Sequence, residues 1–493
     1  MPPEVALPAG SDVHVVILPA VSRTRSVVAA AISGTTQVED QDRAAVTHLL
    51  VSSLHLGLGA TLTLLALAAR VFPEALTGVL GFGRIQPMAL TSVMVGWLVV
   101  ALVGAGYHVL PRLTGTRLWN ENLATLGGWV LGGLGLLGVA GHAIGWGDGG
   151  GPLGLPWGVD LAIAIALLIP LTVTLQTIRR RTETGVFPTL WFVVGGIVSL
   201  VILAFVAAFP TDSGLQLALQ EVTFTAGFTT LWVTTAGTGI AFYVAVRATG
   251  NPLANRQLAR AGFWSLLFAG IWAGPAQIAF APYPDWLAPM GAALTLALPV
   301  AALSNGLGIA QTVGRGWADA RERPAIGALG VGIVFALCVG VATSMATFES
   351  ASGLLALTAF WDGVTYLALF GVGGMFVAAW AYQTLPAMTG RSLADPAAAS
   401  RQVRWTLWFV GGTGLLLMLS GVVAGVGMTG GAYAALGPDS WEVVTGPAEI
   451  FAGLAVLTGG GAFAAQSLFV LNVYRTLTSG AVTDQEVLVE QTA

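Results

Sequence analysis

The sequence predicts an all-α integral membrane protein with twelve transmembrane helices, and three observations predict it. The first is composition: of 493 residues, 55% are apolar and only 9% charged, with a mean hydropathy of +0.80, which leaves too little polar surface to coat a water-soluble globule. The second is segmentation, because the chain divides into twelve stretches of roughly 20 mostly apolar residues, the length a helix needs to cross the hydrocarbon core. The third is the placement of arginine, which crowds alternate loops, as expected where those loops are cytoplasmic.

The spans read as 44–71, 87–110, 122–145, 156–178, 189–209, 216–246, 257–282, 285–313, 324–346, 353–384, 404–428 and 446–475. Arg23, Arg25 and Arg43 precede the first; Arg112 and Arg117 follow the second; Arg179, Arg180 and Arg181 follow the fourth; Arg247, Arg256 and Arg260 follow the sixth. Arg315, Arg321 and Arg323 follow the eighth, Arg391, Arg401 and Arg404 the tenth, and Arg475 the twelfth, which places 18 of the 20 arginines on one side. Only Arg70 and Arg84 lie near an opposite loop, and those loops hold Glu74, Asp148, Asp212, Asp285, Glu349, Asp439 and Glu442. A miscounted span would invert the alternation beyond it, so both termini are expected in the cytoplasm. Residues 1–43 read as a polar leader, 44–475 as one membrane domain and 476–493 as a mobile tail.

Composition also excludes function classes. All 20 basic residues are Arg, and against 24 acids the formal charge is −4, so no basic surface for nucleic acid exists. Cys338 is the single cysteine, which excludes an internal disulfide and a cysteine-ligated zinc or iron–sulfur site. The apolar stretch from Val13 to Ile32 is broken by Arg23 and Arg25, unlike a cleavable signal. Gly127, Gly128, Gly132, Gly133 and Gly135 crowd one helix; with no strand before them and no Lys after, they read as close helix packing, not a phosphate loop.

Ionisable groups at membrane depth mark candidate sites. His48 and His55 lie seven residues apart on one face of span one, His108 ends span two and His142 nears the outer end of span three. Facing histidines are able to ligate heme axially; hydrogen-bonded residues at helix ends are the plainer reading of each, and His14 falls in the leader. Glu221, Glu349, Asp362 and Glu449 lie in or at the edge of spans, where a carboxyl must be protonated, paired, wetted or used as a helix cap. Their functional reading is a proton path or a quinol contact.

Ile271-Trp272-Ala273-Gly274-Pro275, followed by Tyr283-Pro284-Asp285-Trp286, resembles the catalytic subunit I of heme-copper oxidases, most closely the C-type (cbb-type) enzymes and the related nitric oxide reductase large subunits. Gly83-Arg84-Ile85-Gln86-Pro87 and Tyr107 to Gly115 resemble the two ends of that family's second helix. Thr235-Ala236-Gly237 through Gly250-Asn251-Pro252, Ser304-Asn305-Gly306, Ser344 to Glu349, Pro386 to Arg391 and Asn472-Val473-Tyr474-Arg475 follow in family order, so the resemblance covers about residues 45–477. It implies a subunit I-like bundle of twelve helices in which six histidines hold two hemes and copper.

Those histidines are missing. The position of the low-spin heme ligand on helix two falls at Ala89 or Leu90, and that of the copper ligand on helix six near Ala226 or Gly227. The histidine pair after the Gly-Pro of helix seven is replaced by Ala276 and Gln277, and the two helix-ten positions read Val364 and Tyr366. Valine and alanine carry no lone pair, and Met88 and Met375 read as packing residues. The expectation is therefore a degenerate subunit: copper absent, no cofactor held through family ligands, and heme b only through non-family ligation by His55, His142, His48 or His108. Such a protein would be a non-catalytic membrane subunit of a respiratory or denitrification-type complex in a prokaryotic cell membrane. Its partners would be lipid, redox-carrying subunits and possible quinol, with Glu349, Asp362, Tyr366 and Glu221 as proton or quinol contacts. A heme-binding electron carrier is the alternative, and a transporter the third reading, weakened by the lack of paired Gly/Pro-broken segments.

Overall fold

The computed structural model describes residues 42–147, 152–211, 213–278, 281–282, 284–429 and 441–479, the side chains of 441–445 and 479 excepted. The leader to residue 41, His14, Asp148, Asp212, Tyr283, Asp439, the side chain of Glu442 and the tail beyond Ser479 lie outside the described residues. Among the described residues every regular element is helical. Eleven helices are long and apolar enough to cross a membrane: α1 Arg43–Val71, α2 Phe82–Thr114, α3 Glu121–Ile144, α4 Trp157–Arg179, α5 Pro188–Ala207, α6 Gly214–Thr249, α8 Leu287–Asp319, α9 Pro324–Ala346, α10 Ala359–Thr389, α11 Pro396–Thr429 and α12, whose crossing part is Gly446–Thr478.

The seventh expected span departs from this pattern. Helix α7 covers only Arg256–Gly270, and the chain then continues through turns and a short 3₁₀ turn at Pro275–Ile278. The physical reason lies in Gly270 to Pro275: Pro275 has no amide hydrogen to continue the ladder, and Gly274 presses directly on the backbone of Val222 and Thr223 in α6. Span ten also starts later than expected, at residue 359 and not 353, because Glu349–Leu355 forms its own short helix and Leu357 turns the chain with φ +57°. Glu349 consequently stands on the connection between α9 and α10 and not within a span.

Helix ends follow their capping residues. Asn120 accepts from Leu123 N at the start of α3, Asn255 from Gln257 N and Leu258 N at α7, and Asp395 from Ala398 N one residue before Pro396 opens α11. Helices α2 and α10 stop where Gly115 and Gly390 adopt φ +67° and +63°, a left-handed conformation that glycine enters without a Cβ clash.

Helices α2, α6 and α10 are almost wholly enclosed by the others, whereas α8 and α12 show most of their surface outward. Each enclosed helix loosens into a π-helical stretch at mid-length, Ser92–Val99, Phe228–Thr234 and Leu367–Gly373, and the last of these packs on both of the others. Gly373 fits there because a Cβ would stand 2.7 Å from Val233 Cγ1 and 2.9 Å from Leu98 Cδ2. Such π-turns gather at functional sites, which directs attention to the space between α2, α6 and α10.

Candidate functional site

The four described histidines fall into three environments. His48 is completely buried; its Nδ1 donates to the Ala44 carbonyl at 2.8 Å, its ring meets Tyr107 edge-on at 5.2 Å, and Nε2 finds no partner. His55 is held at both nitrogens, Nε2 donating to the Gly132 carbonyl at 3.0 Å and Nδ1 lying 3.3 Å from the Ser92 hydroxyl. Glycines of α2 and α3 make this packing possible: a Cβ on Gly96 would stand 2.0 Å from His55 Nδ1, and one on Gly104 2.4 Å from His48 Cβ. His142 is buried near the C-terminal end of α3, with an Nε2 that has no partner among the described residues.

His108 belongs to a buried triad at the end of the bundle where the arginine-rich loops lie. Its Nδ1 donates to Asp42 Oδ1 at 3.0 Å, while Arg112 donates to both Asp42 oxygens, at 2.9 and 2.7 Å. Burial alone would push the Asp42 carboxyl up, but the hydrogen bonds and charges of His108 and Arg112 outweigh it and hold the group at about 2. Asp42 precedes α1 and was read only as part of a polar leader; its partner is 66 residues away.

Three of the four candidate acids and phenols come together. Glu221 of α6, with Asp362 and Tyr366 of α10, lines a cavity of about 310 Å³ between the C-terminal end of α1 and the N-terminal parts of α2, α6 and α10. Ala89 and Leu90, the helix-two ligand positions, line the same cavity, as does Gln277 beyond the break in α7. Glu349 does not join them and instead borders a separate space with Asp285 and Thr347. Val364 is buried in the main core, Ala226 packs with Ala269, Ala273 and Leu298, and Ala276 is fully buried against Gly291. Aromatic rings continue inward from the cavity wall: Tyr366 and Phe370 meet at a tilt with centroids 4.9 Å apart, and Phe370 meets Trp97 likewise at 5.4 Å.

Two residues the sequence reading left aside complete the mouth. Arg70 of α1 forms an ion pair with Asp362 and lies over the Phe82 ring at 5.1 Å, and Gln86 contributes a carboxamide to the lining. The isolated position of Arg70 on the outer, acid-rich side was the available signal. Chemically, the site offers an apolar interior, a neutralised ion pair at its rim, and hydrogen-bonding groups from Glu221, Gln86 and Gln277.

Comparison with known proteins adds relatives to this geometry. The family model described as cytochrome c and quinol oxidase polypeptide I matches residues 43–473. Cytochrome c oxidase subunit 1 of Rhodobacter capsulatus is 25% identical over 67% of this chain and 64% of its own length. A cytochrome c oxidase subunit 1 homolog of Agrobacterium tumefaciens is 24% identical over 66% of this chain and 62% of its own, so the chain spans under two thirds of the curated relatives it matches. A cbb3-type oxidase subunit of Stutzerimonas stutzeri is 22% identical over 54% of the chain and 57% of its own. Among solved structures, a heme-copper terminal oxidase dimer superposes with a TM-score of 0.71 at 12% identity, covering 90% of this chain and 85% of its own.

Proposed function

Because the chain belongs to the cytochrome c and quinol oxidase polypeptide I family, we propose that it is a degenerate, non-catalytic subunit of that family, anchoring redox-carrying subunits of a respiratory or denitrification-type complex in the bacterial plasma membrane with both termini cytoplasmic. One observation supports this reading: where the resemblance implies metal-binding histidines, the sequence holds Ala89 or Leu90, Ala226 or Gly227, Ala276, Gln277, Val364 and Tyr366. The donor set of the gap between α2 and α10 does not fit a heme ligated by two imidazoles, nor a copper ion held by three. Its described lining supplies the thioether of Met94, the Tyr366 phenol, carboxylates and amides, but no imidazole or thiolate. Family-type oxygen or nitric oxide reduction, which needs two facing metals, is therefore not assigned to this chain. Glu221, Asp362 and Tyr366 remain the polar groups available for a proton or quinol contact, while Glu349 stands apart from them.

A second reading, a heme held by a histidine outside the family positions, rests on His48 and His142, whose Nε2 atoms are buried without a partner among the described residues. Against it, His48 is enclosed by Gly104 and Gly128 so closely that even a Cβ on Gly128 would stand 2.8 Å from its ring. The test is purification from native membranes in mild detergent, followed by separation of the chain from its companions. The expected result is metalloprotein subunits co-purifying with the chain, and less than about a tenth of a heme per isolated chain by pyridine hemochrome, with no copper by elemental analysis. One heme per isolated chain, lost in His142→Ala, would establish the second reading in its place.

A further inference from the structure

The cavity between α1, α2, α6 and α10 has a chemical bias that the anchoring role does not use. Its inner walls are apolar, with Leu90, Val93, Met94, Leu369 and Phe370 from α2 and α10. Its volume, about 310 Å³, lies at the small end of the range for pockets that hold organic ligands. The charges at its mouth do not balance. Arg70 and Asp362 neutralise each other, and Arg70 is further engaged by the Phe82 ring. Glu221 has no ion-pair or hydrogen-bond partner among the described residues, which leaves one unmatched carboxylate on an apolar cavity. Two aromatic side chains, Phe82 and Trp361, border the same mouth.

We propose that this cavity binds a small lipid-soluble organic cation, a protonated or quaternary amine carrying an aromatic or alkyl body. The body would replace lipid or water along the apolar walls. The ammonium would sit opposite Glu221 and near the aromatic faces, where ring quadrupoles favour cations. Glu221 is exposed at this rim, so the preference for a cation comes from charge complementarity: an anion meets the carboxylate unfavourably and a neutral guest forgoes its attraction. Gln86 and Gln277 add carboxamides able to accept from an amine hydrogen or to orient it. The inference rests on the heme-free reading of the same gap; heme found there would overturn both, whereas a heme-free chain that ignores cations would overturn this one alone.

The experiment is equilibrium dialysis of the full chain in lipid nanodiscs, with empty discs as blank, using radiolabelled benzyltrimethylammonium and its neutral carbon isostere, neopentylbenzene. The expected result is saturable one-to-one binding of the cation, at least about tenfold tighter than that of the isostere. Glu221→Gln should weaken the cation by about tenfold and leave the isostere unchanged. Thr225→Met, which adds bulk on the cavity wall without touching a charge, should weaken both. Equal affinity for cation and isostere, no effect of Glu221→Gln in a variant with unchanged melting temperature, absence of saturable binding, or tighter binding of decylubiquinol than of the cation would each overturn it.

Discussion

Asp42 and His108 are joined by a 3.0 Å hydrogen bond between side chains that are each almost fully buried, and Arg112 closes the opposite side of the carboxylate with two further bonds. The contact ties the residue preceding α1 to the last turns of α2, so the first two helices are pinned at the end where the arginine-rich loops lie. An ion pair buried in this way is costly to break, because removing the carboxylate leaves a guanidinium and an imidazole without their shared acceptor.

This relationship gives a pH dependence. The Asp42 carboxyl sits at about 2 in the folded chain against an ordinary 3.8, so the unfolded chain binds the proton first. Its stabilisation is fully present above pH 4 and is lost as pH falls from about 4 through about 2, in total about 2 kcal/mol. Thermal unfolding in nanodiscs should show a melting temperature that falls through that interval. Asp42→Asn should begin lower and fall less steeply. Equal slopes for the two proteins would show that the triad carries none of the acid sensitivity.

The glycines facing His48 and His55 should rank by the room behind them. Gly96→Ala places a methyl 2.0 Å from His55 Nδ1, in a site with no slack because both nitrogens of that ring are engaged. Gly104→Ala places one 2.4 Å from His48 Cβ, next to the backbone and unable to swing aside. Both should lose about 2 kcal/mol or more. Gly133→Ala on α3 meets nothing within 4 Å and should be neutral or slightly stabilising. Melting temperatures of the three variants, measured side by side, check the order.

The Arg70–Asp362 pair should behave differently from the Asp42 triad. Its side chains are 28% and 36% exposed, so solvent screens the charges and the pair is worth at most about 1 kcal/mol. A double-mutant cycle of Arg70→Gln and Asp362→Asn should return a coupling below that figure. A coupling as large as that of a buried pair would mean that the mouth of the cavity is closed to water.

Much of the architecture was legible in the sequence because two signals agreed: apolar runs of spanning length, and arginine in alternate loops. The packing role of the glycine-rich face of α3 was legible too, although its members differ, since Gly128, Gly132 and Gly135 press on α1 or α2 while Gly133 faces open space. Which of them touch depends on helix rotation, and the weak amphipathicity of an almost wholly apolar helix leaves that rotation unmarked. The pairing of Asp42 with His108 was hidden for a related reason: a contact across 66 residues has no local signature. Within the site, Glu221, Asp362 and Tyr366 were legible as separate candidates, but their meeting, the part of Arg70 and Gln86, and the separation of Glu349 emerge only from the fold. The break in α7 was concealed by hydropathy, since the run after Gly270 is apolar enough to read as continuous helix.

That break yields the most demanding prediction. Where α7 stops, Gly274 lies against α6 so tightly that a Cβ would stand 2.5 Å from Thr223 Cα and 2.6 Å from the Val222 carbonyl oxygen, both backbone atoms. Backbone does not give way as a side-chain tip does, so Gly274→Ala must push the broken segment off α6. The displaced segment carries Gln277, and the stretch of α6 it leaves carries Glu221, Val222 and Thr225, all of them lining the cavity. The substitution should therefore lower the melting temperature by about 2 kcal/mol or more in equivalent stability and also reduce cavity binding in the surviving folded fraction. Gly214→Ala, at the start of α6 with nothing within 4 Å, should do neither. If Gly274→Ala melts and binds like the parent protein, the close contact between the broken end of α7 and α6 is not what shapes the site.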